Sequence, residues 1–249
     1  MNGRHLFVTG TDTGVGKTFV AAGLARIWSD RGENVGVLKP AETGHDAAVA
    51  GPWPADGRTL AIAARCTDGL EAVVPYVFTE PLAPLVAARR ERRVIEPERL
   101  ADAFARSAAR HDRVLVEGAG GLSVPIAEFG ENDALFDHAD LAKLLGLPLL
   151  VVARAHLGTL NHTFLTVRYA RERGAEVVGI VLNGRDARLA DPSVEDNASM
   201  LEEMCACPVL GTIDHQEGAV DVEVMASVCS TALDLERLDT SLTVPGEPR

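Results

Sequence analysis

A glycine-rich loop near the start of the chain constrains its fold more than any other feature. Residues 10–18 read Gly-Thr-Asp-Thr-Gly-Val-Gly-Lys-Thr and lie between the apolar residues 6–8 and a helical pattern. A strand, a glycine loop and a helix in that order allow backbone N–H groups to turn toward phosphate oxygens. Lys17 adds a cation at the outer phosphates, and the Thr18 hydroxyl is placed to bind Mg²⁺. The spacing is unusual, since five residues rather than four separate the first glycine from the Gly-Lys-Thr triplet.

Length and charge restrict the class of protein. A chain of 249 residues suits one large α/β domain over residues 1–249. Its 24 Lys and Arg residues against 36 Asp and Glu residues give a net charge of −12, which disfavours nucleic acid or an anionic membrane as the main partner. The N-terminus lacks a signal-peptide pattern, and no apolar run approaches about 18 residues. These observations predict a cytoplasmic protein.

The cysteines and histidines suggest no metal or redox chemistry. Cys66, Cys205, Cys207 and Cys229 have neither the density of a secreted disulfide scaffold nor the spacing of a zinc site. The Cys-Ala-Cys sequence at residues 205–207 is more typical of a reduced structural pair than of a redox site. The histidines show no recurring metal-ligand spacing, so no function is assigned to either residue type.

Apolar runs separated by helical segments predict the fold class. The runs are residues 6–8, 35–38, 114–116, 149–152, 178–182 and 208–210. Such non-alternating, β-branched runs are typical of strands buried on both faces of a mainly parallel sheet. We therefore expect a doubly wound α/β fold of the P-loop type, with helices on both faces and its site at the carboxyl ends of the strands.

Two segments depart from this alternation. Residues 40–93 are rich in glycine and proline in their first part and carry three further prolines after residue 74. We interpret them as an excursion over the strand ends that shapes a substrate pocket. The tail, residues 234–249, is acidic and ends in a Pro- and Gly-containing sequence, so we expect it to be frayed.

A carboxylate ends one predicted central strand. Glu117 follows the apolar residues 114–116, an arrangement that holds Mg²⁺ opposite a phosphate loop. Gly118, Ala119 and Gly120 come next, so the backbone can pass close to a ligand. The alternative is a strand-end glutamate followed by a flexible turn.

A lysine ends a second predicted strand. Lys39 follows the apolar residues 35–38 and precedes a short turn that carries the Thr43 hydroxyl. A lysine at this place can stabilise negative charge on an anionic intermediate, and Thr43 can hydrogen-bond a substrate or phosphate oxygen. The alternative for Lys39 is a solvated surface charge.

Polar groups also follow two later strands. Asn183 ends the strand at residues 178–182, where its amide can pair with adenine or, alternatively, form a turn. A helix start follows the strand at residues 149–152, and its exposed amides attract carboxylates. The residues of that helix start are Gly158, Thr159, Leu160 and Asn161. The adjacent His162 is better explained as a packed or capping residue than as a base.

Taken together, these motifs resemble those of the dethiobiotin synthetase family. The matching motifs lie within residues 8–18, 39–44, 76–84, 116–121, 140–148, 157–162 and 181–183, in family order. The extra loop residue is also a feature of that family. The resemblance implies a Mg²⁺- and ATP-dependent ligase in which one amine of 7,8-diaminononanoate takes up CO₂ as a carbamate. ATP then phosphorylates the carbamate, and the second amine closes the ureido ring.

The resemblance also implies roles for individual residues. The nucleotide would be held by Asp12, Thr13, Gly14, Val15, Gly16, Lys17, Thr18 and Asn183. The reacting carbamate and phosphate would be contacted by Lys17, Lys39, Thr13 and Thr43, and Mg²⁺ by Thr18, Glu117 and Asp56. The substrate would be held by Thr43, Gly118, Ala119, Gly120, Gly158, Thr159, Leu160 and Asn161. Family members are homodimers, and the helix start at residues 158–161 would reach the substrate carboxylate from the partner subunit.

One position departs from the family pattern. Alignment on the apolar residues 60–62 puts Arg58 where a metal-binding aspartate is expected, with Asp56 two residues early. Our hypothesis is that Asp56 takes the place of the missing ligand. Glu42 is a second unusual feature, because it puts an acid in a turn that faces anionic groups.

Three other functions are consistent with parts of the pattern. A partition-type ATPase switch shares the unusual loop but needs a basic patch or a basic C-terminal helix, whereas this tail is acidic. The ATP-using half of a cobyrinate-type amidase would continue into a glutamine-hydrolysing domain or pair with a separate subunit. A relative of the ligase with altered or lost activity is suggested by Arg58.

Overall fold

Six parallel strands form the central sheet of the protein, in a computed structural model that describes residues 4–129 and 134–242. The strands in these residues are β1 (Leu6–Gly10), β2 (Val35–Leu38), β3 (Ala41–Thr43), β4 (Tyr76–Phe78), β5 (Arg113–Gly121), β6 (Pro125–Phe129), β7 (Ala134–Asp137), β8 (Leu149–Arg154), β9 (Val177–Arg185) and β10 (Val209–Asp214). The sheet order is β10-β9-β8-β1-β5-β2. The six apolar runs predicted as strands all lie in this sheet, so the expected doubly wound α/β fold is confirmed.

Helices cover both faces of the sheet. Those in the same residues are α1 (Lys17–Asp30), α2 (Ala47–Ala50), α3 (Ala55–Ala64), α4 (Leu70–Val73), α5 (Pro84–Arg90), α6 (Pro97–Ala108), α7 (His138–Leu145), α8 (Thr159–Glu172), α9 (Ser193–Cys205), α10 (Val222–Ala232) and α11 (Leu235–Ser241). None of them combines the length and apolar character needed to cross a bilayer. Leu6 and Val8 pack on the side of α1, α3 and α10, whereas Phe7 packs on the opposite side with α6 to α9. Both faces of β1 are thus buried.

The excursion at residues 40–93 is more regular than its composition suggests. Ala41–Thr43 forms β3, which pairs in parallel with β4, and α3 packs against α1. The Lys39 N–H donates to the Val73 carbonyl at 2.7 Å, which joins the excursion to the end of β2. A three-residue strand is too short to produce a detectable periodicity, so β3 could not be predicted.

The prediction of a frayed tail is wrong for residues 235–241, which form α11. Leu238 is buried, and the Asp239 carboxylate accepts a hydrogen bond from Trp28 Nε1 at 3.1 Å. Asp239 Oδ1 also lies 3.3 Å from Arg113 Nη1 on β5. These partners are more than 100 residues away in sequence, which explains why the local composition was misleading. Residues 243–249 of the predicted tail lie outside the described residues.

Candidate active site

The glycine loop connects the end of β1 to the start of α1. Gly14 and Gly16 have φ of 74° and 92°, a region that disfavours residues with a side chain. A Cβ on Gly16 would lie 2.0 Å from Asn183 Nδ2, so a side chain is excluded there by space as well. Asn183 Nδ2 donates to the Val15 carbonyl at 2.9 Å. The end of β9 therefore supports the loop directly.

A cavity of about 660 Å³ opens at the carboxyl ends of β1, β2 and β5. The predicted site residues that line it are Thr13, Gly14, Gly16, Lys17, Thr18, Lys39, Thr43, Asp56, Glu117, Ala119 and Gly120. It is also lined by Glu42, by Val124 and by residues 81–84 of the excursion. The structure thus brings together groups from five segments of the chain, as parallel strand ends do in α/β folds.

Lys39 lies between two carboxylates at the floor of this cavity. Its Nζ is 2.5 Å from Glu117 Oε1 and 2.8 Å from Asp56 Oδ2. Lys39 is 2% exposed and Glu117 is fully buried. Burial alone would lower the pKa of Lys39, but the charges of Glu117 and Asp56 outweigh it and raise that pKa. Lys39 is therefore a cation at neutral pH and serves as the counter-ion of both acids.

Lys17 provides a second buried ammonium in the same cavity. Its Nζ donates to the Asp12 carbonyl at 3.1 Å. Burial and the nearby positive charge of Lys39 lower the pKa of Lys17. An anion bound near Lys17 would relieve both the desolvation of its ammonium and the repulsion from Lys39.

Three oxygen-bearing side chains near Lys39 fit a divalent cation. Thr18 Oγ1 donates to Glu117 Oε1 at 2.9 Å, whereas Glu117 Oε2 is buried and makes no hydrogen bond within the described residues. Burial raises the pKa of Glu117, although Lys39 partly offsets this effect. A hydroxyl and two carboxylates are the hard ligands that Mg²⁺ prefers. Thr18, Glu117 and Asp56 therefore make a chemically suitable set.

Asp56, not Arg58, faces the cavity. The Glu42 carboxylate accepts hydrogen bonds from the Asp56 N–H at 2.8 Å and from the Gly57 N–H at 2.9 Å. These contacts fix the first turn of α3 so that the Asp56 side chain meets Lys39. Arg58 is exposed and lines a separate surface groove with Trp53. The sequence alignment put Arg58 at the position of the expected aspartate, but in the structure Asp56 lines the cavity and Arg58 does not. The hypothesis that Asp56 binds the metal stays a prediction.

Some of the predicted site residues do not line the cavity in this chain. The Asp12 carboxylate pairs with Arg154 at 3.0 Å. The helix start at Gly158, Thr159, Leu160 and Asn161 lies at the end of β8 and is absent from the cavity lining. Thr159 is buried and contacts Thr163, whereas Asn161 is exposed. Gly118 contributes its carbonyl, 3.4 Å from Lys39 Nζ.

His138 is a buried residue of the site that the sequence did not indicate. The Ala119 N–H donates to His138 Nε2 at 2.9 Å, and Nδ1 lies 3.1 Å from the Val124 carbonyl, to which it donates. Burial lowers the pKa of His138 to about 3, so the ring is neutral near pH 7. It joins β5 at Ala119 to the loop at Val124. The spacing between these residues and His138 follows no motif, so no sequence signal was available.

The fold and the loop define a P-loop nucleotide-binding protein of the doubly wound α/β class. Two solved structures share the fold: the MinC:MinD cell division protein complex of Aquifex aeolicus and the septum site-determining protein MinD of Pyrococcus horikoshii, complexed with Mg-ADP. The first has a TM-score of 0.53 at 13% identity and covers 98% of this chain and 99% of that chain. The second has a TM-score of 0.54 at 17% identity and covers 86% and 82%.

Sequence comparison narrows this class to one family. The family model described as an AAA domain matches residues 4–222. The ATP-dependent dethiobiotin synthetase BioD of Anaeromyxobacter dehalogenans strain 2CP-C is 50% identical over 201 residues, 81% of this chain and 85% of that protein. The enzyme of the same name from Bacillus licheniformis is 40% identical over 223 residues, 89% and 90% of the two chains. The chain belongs to the ATP-dependent dethiobiotin synthetase family.

Proposed function

We propose that this protein is a Mg²⁺- and ATP-dependent ligase that forms dethiobiotin from 7,8-diaminononanoate and CO₂, with release of ADP and phosphate. The observation that carries the proposal is the placement of Lys17, Lys39, Glu117 and Asp56 around one cavity beside the glycine loop. Membership of the family supports the choice of reaction. Arg58 was the reason to consider a relative with altered or lost activity, and it does not support that alternative because it lies outside the cavity.

The proposed reaction has three chemical steps. One substrate amine forms a C–N bond to CO₂ and loses a proton, which gives an anionic carbamate. A carbamate oxygen attacks the γ-phosphorus, the bond to ADP breaks, and a carbamic-phosphoric anhydride forms. The second amine attacks the carbonyl carbon, phosphate leaves, and the nitrogen loses a proton. Each step moves negative charge between oxygens, so catalysis requires mainly positioned cations and hydrogen-bond donors.

The residues of this chain suit that requirement. Lys39 faces the cavity from the end of β2 and would hold the carbamate, while Lys17 would contact the transferred phosphoryl group. Thr13 on the loop and Thr43 on β3 would donate to phosphate and substrate oxygens. Thr18, Asp56 and Glu117 would hold Mg²⁺, which when bound neutralises charge on the phosphates. Asn183, which already contacts the loop at Val15, would recognise the adenine.

A homodimer is part of the proposal. The helix start at residues 158–161 does not reach the cavity of its own chain, whereas Leu157 and Leu165 beside it are 80% and 55% exposed. A second copy that covers these leucines would bring its own α8 start to the open cavity. The backbone N–H groups there favour a carboxylate, as the substrate carries.

The first test is product formation by the purified protein. We expect ADP release from MgATP and bicarbonate to depend on 7,8-diaminononanoate, with dethiobiotin detected by mass spectrometry. A Lys39→Gln variant should lose on the order of 100-fold or more in kcat, as removal of a charge-stabilising donor does. Lys143→Gln, on the exposed face of α7, is the matched control and should retain full activity.

Nucleotide binding distinguishes a loss of chemistry from a loss of folding and also tests the proposed reaction. Unchanged nucleotide affinity in the Lys39→Gln protein would show that its loss of turnover is chemical. Nucleotide binding by the wild type without diamine-dependent product would contradict the proposed ligase and favour a relative with another substrate.

A further inference from the structure

Three side chains with metal-binding atoms meet at the edge of the sheet, away from the active-site cavity. Cys66 and Asp68 lie in the loop that follows α3, and His111 follows α6. One Cys66 Sγ, one Asp68 carboxylate oxygen and one ring nitrogen of His111 all lie within 4.8 Å of one another. None of the three lines the cavity that holds Lys39. The cluster could not be predicted from the sequence, because 42 residues lie between Asp68 and His111.

The His111 ring is oriented as in a metal ligand. Its Nδ1 lies 2.9 Å from the Ser107 carbonyl oxygen, which can only accept, so Nδ1 carries the proton and Nε2 carries the lone pair. Metal-binding histidines are usually fixed in this way, by a carbonyl or a carboxylate at the other ring nitrogen. Nε2 makes no hydrogen bond within the part of the chain that the structure describes, and it faces Asp68 Oδ2 at 3.9 Å. With Nδ1 as the donor, Nε2 of the neutral ring and the Asp68 carboxylate point into the same space.

The backbone around the cluster is also shaped for it. Gly36 on β2 leaves room for the ring, because a Cβ there would lie 2.7 Å from His111 Nδ1. Cys66 is a free, partly exposed thiol that lines a surface groove, so an ion can reach it from solvent. The thiol would lose its proton when the ion binds.

We propose that Cys66, Asp68 and His111 bind a single Zn²⁺ or a similar borderline-soft divalent ion, with water as the fourth ligand. Sulfur, imidazole and carboxylate together suit Zn²⁺ and exclude Mg²⁺, which requires oxygen ligands. The ion would tie the loop after α3 to the loop after α6, beside the edge strand β2. The site is independent of the proposed ligase reaction and stands or falls separately from it.

One contact competes with the ion. Arg110 Nη2 lies 2.7 Å from Asp68 Oδ2 and neutralises part of its charge. Its side chain is 51% exposed, so it can turn into solvent when a cation binds. Removal of this competitor should therefore tighten metal binding, a direction that simple loss of structure would not produce.

Cobalt spectroscopy tests the proposal without reference to activity. Co²⁺ added alone to the wild-type protein should bind one ion per chain with a sulfur-to-cobalt charge-transfer band. Cys66→Ser should abolish the band, whereas Cys207→Ser, the same change at a cysteine outside the cluster, should retain it. Asp68→Asn and His111→Gln should weaken Co²⁺ binding on the order of tenfold or more, since even outer-shell changes reach that size. Arg110→Ala should strengthen it.

Zn²⁺ provides an independent measurement. It should displace Co²⁺ from the wild type and raise the Tm of the wild type but not of Cys66→Ser, because an ion that binds only the folded state stabilises it. Millimolar Mg²⁺ should not remove the cobalt band. No band in the wild type, or an equal band in Cys66→Ser, would overturn the proposal.

Discussion

At the scale of single residues, the site depends on how Asp56 is placed. Its carboxylate is partly exposed beside Lys39, and although partial burial raises the pKa of Asp56, the Lys39 charge and hydrogen bonds lower it overall. Asp56 is thus an anion at neutral pH and suits a metal ligand. Both Asp56 and Arg58 were candidates for the metal-ligand position from the sequence. The way α3 begins determines which of the two side chains faces Lys39.

An Asp56→Asn variant should need a higher Mg²⁺ concentration for half-maximal turnover, because a neutral amide binds the ion less well than a carboxylate. We expect an increase on the order of tenfold or more. Arg58→Ala, two residues away on the exposed side of α3, is the control and should leave the Mg²⁺ dependence unchanged. An equal Mg²⁺ requirement in wild type and Asp56→Asn would contradict the assignment.

The lowered pKa of His138 predicts how the stability of the protein depends on pH. Its pKa is about 3 in the folded protein and 6.5 in the unfolded chain, so the unfolded state binds more protons between these values. The free energy of unfolding should therefore fall as the pH decreases from about 6.5 toward 3. Because of His138, the free energy of unfolding should be about 2 kcal/mol lower at pH 5 than at pH 7.

Denaturant unfolding of wild type and His138→Gln at both pH values measures this contribution. The variant should lose about 2 kcal/mol less than the wild type on acidification. His5, whose pKa burial also lowers, is present in both proteins and cancels. The same pH dependence in both proteins would contradict a buried neutral imidazole at residue 138.

At the scale of elements, the strands and helices that leave a clear pattern in the sequence were predicted. The six sheet strands were found because each is a continuous apolar run, and α1 because its start follows the glycine loop. The sequence could not predict β3, which has three residues, or α11, whose acidic Asp239 is satisfied by Trp28 and Arg113 far away in the chain. Lys39, Glu117 and Thr18 were predicted as site residues because each lies at the end of a predicted strand or the start of a predicted helix. The strand that carries Glu117 in fact continues to Gly121. Their roles, like the single-domain organisation, stay predictions.

The start of α3 depends on Glu42 in β3. We expect Glu42→Gln to lower the free energy of unfolding by about 1–3 kcal/mol, because the amide has one acceptor oxygen and turns a donor toward the second N–H. It should also raise the Mg²⁺ concentration needed for turnover, since Asp56 loses its support. Glu71→Gln, at an exposed position in α4, is the control. Urea unfolding and Mg²⁺ titration of both variants would check this, and wild-type values for Glu42→Gln would refute it.

At the scale of the whole molecule, the cavity looks incomplete in one chain. Its floor carries the charged groups, yet the α8 start that suits a carboxylate lies elsewhere on the surface. A shared site in a homodimer accounts for both observations. This arrangement can be tested by mixing two inactive variants.

Co-expression of Lys39→Ala with Asn161→Asp should restore activity that neither variant has alone. Asn161→Asp repels the substrate carboxylate, yet an acid in the first turn of a helix favours folding. Random pairing makes about half of the dimers hybrids with one intact site, so about a quarter of wild-type activity is expected. No recovery in hybrids verified by mass spectrometry would mean that each chain uses its own α8.

The contacts of α11 predict how well the protein resists proteolysis. Asp239 pairs with Arg31 on the surface and with the Arg113 guanidinium, which lies 4.0 Å over the Trp28 ring beneath α11. A protease that cut before Asp239 would leave that guanidinium with Glu33 alone and would uncover the indole. We expect the clipped chain to lose support at the start of β5, beside the edge strand of the sheet, and to be digested faster than the intact chain. The short acidic helix α11 would thus protect the protein against proteolysis.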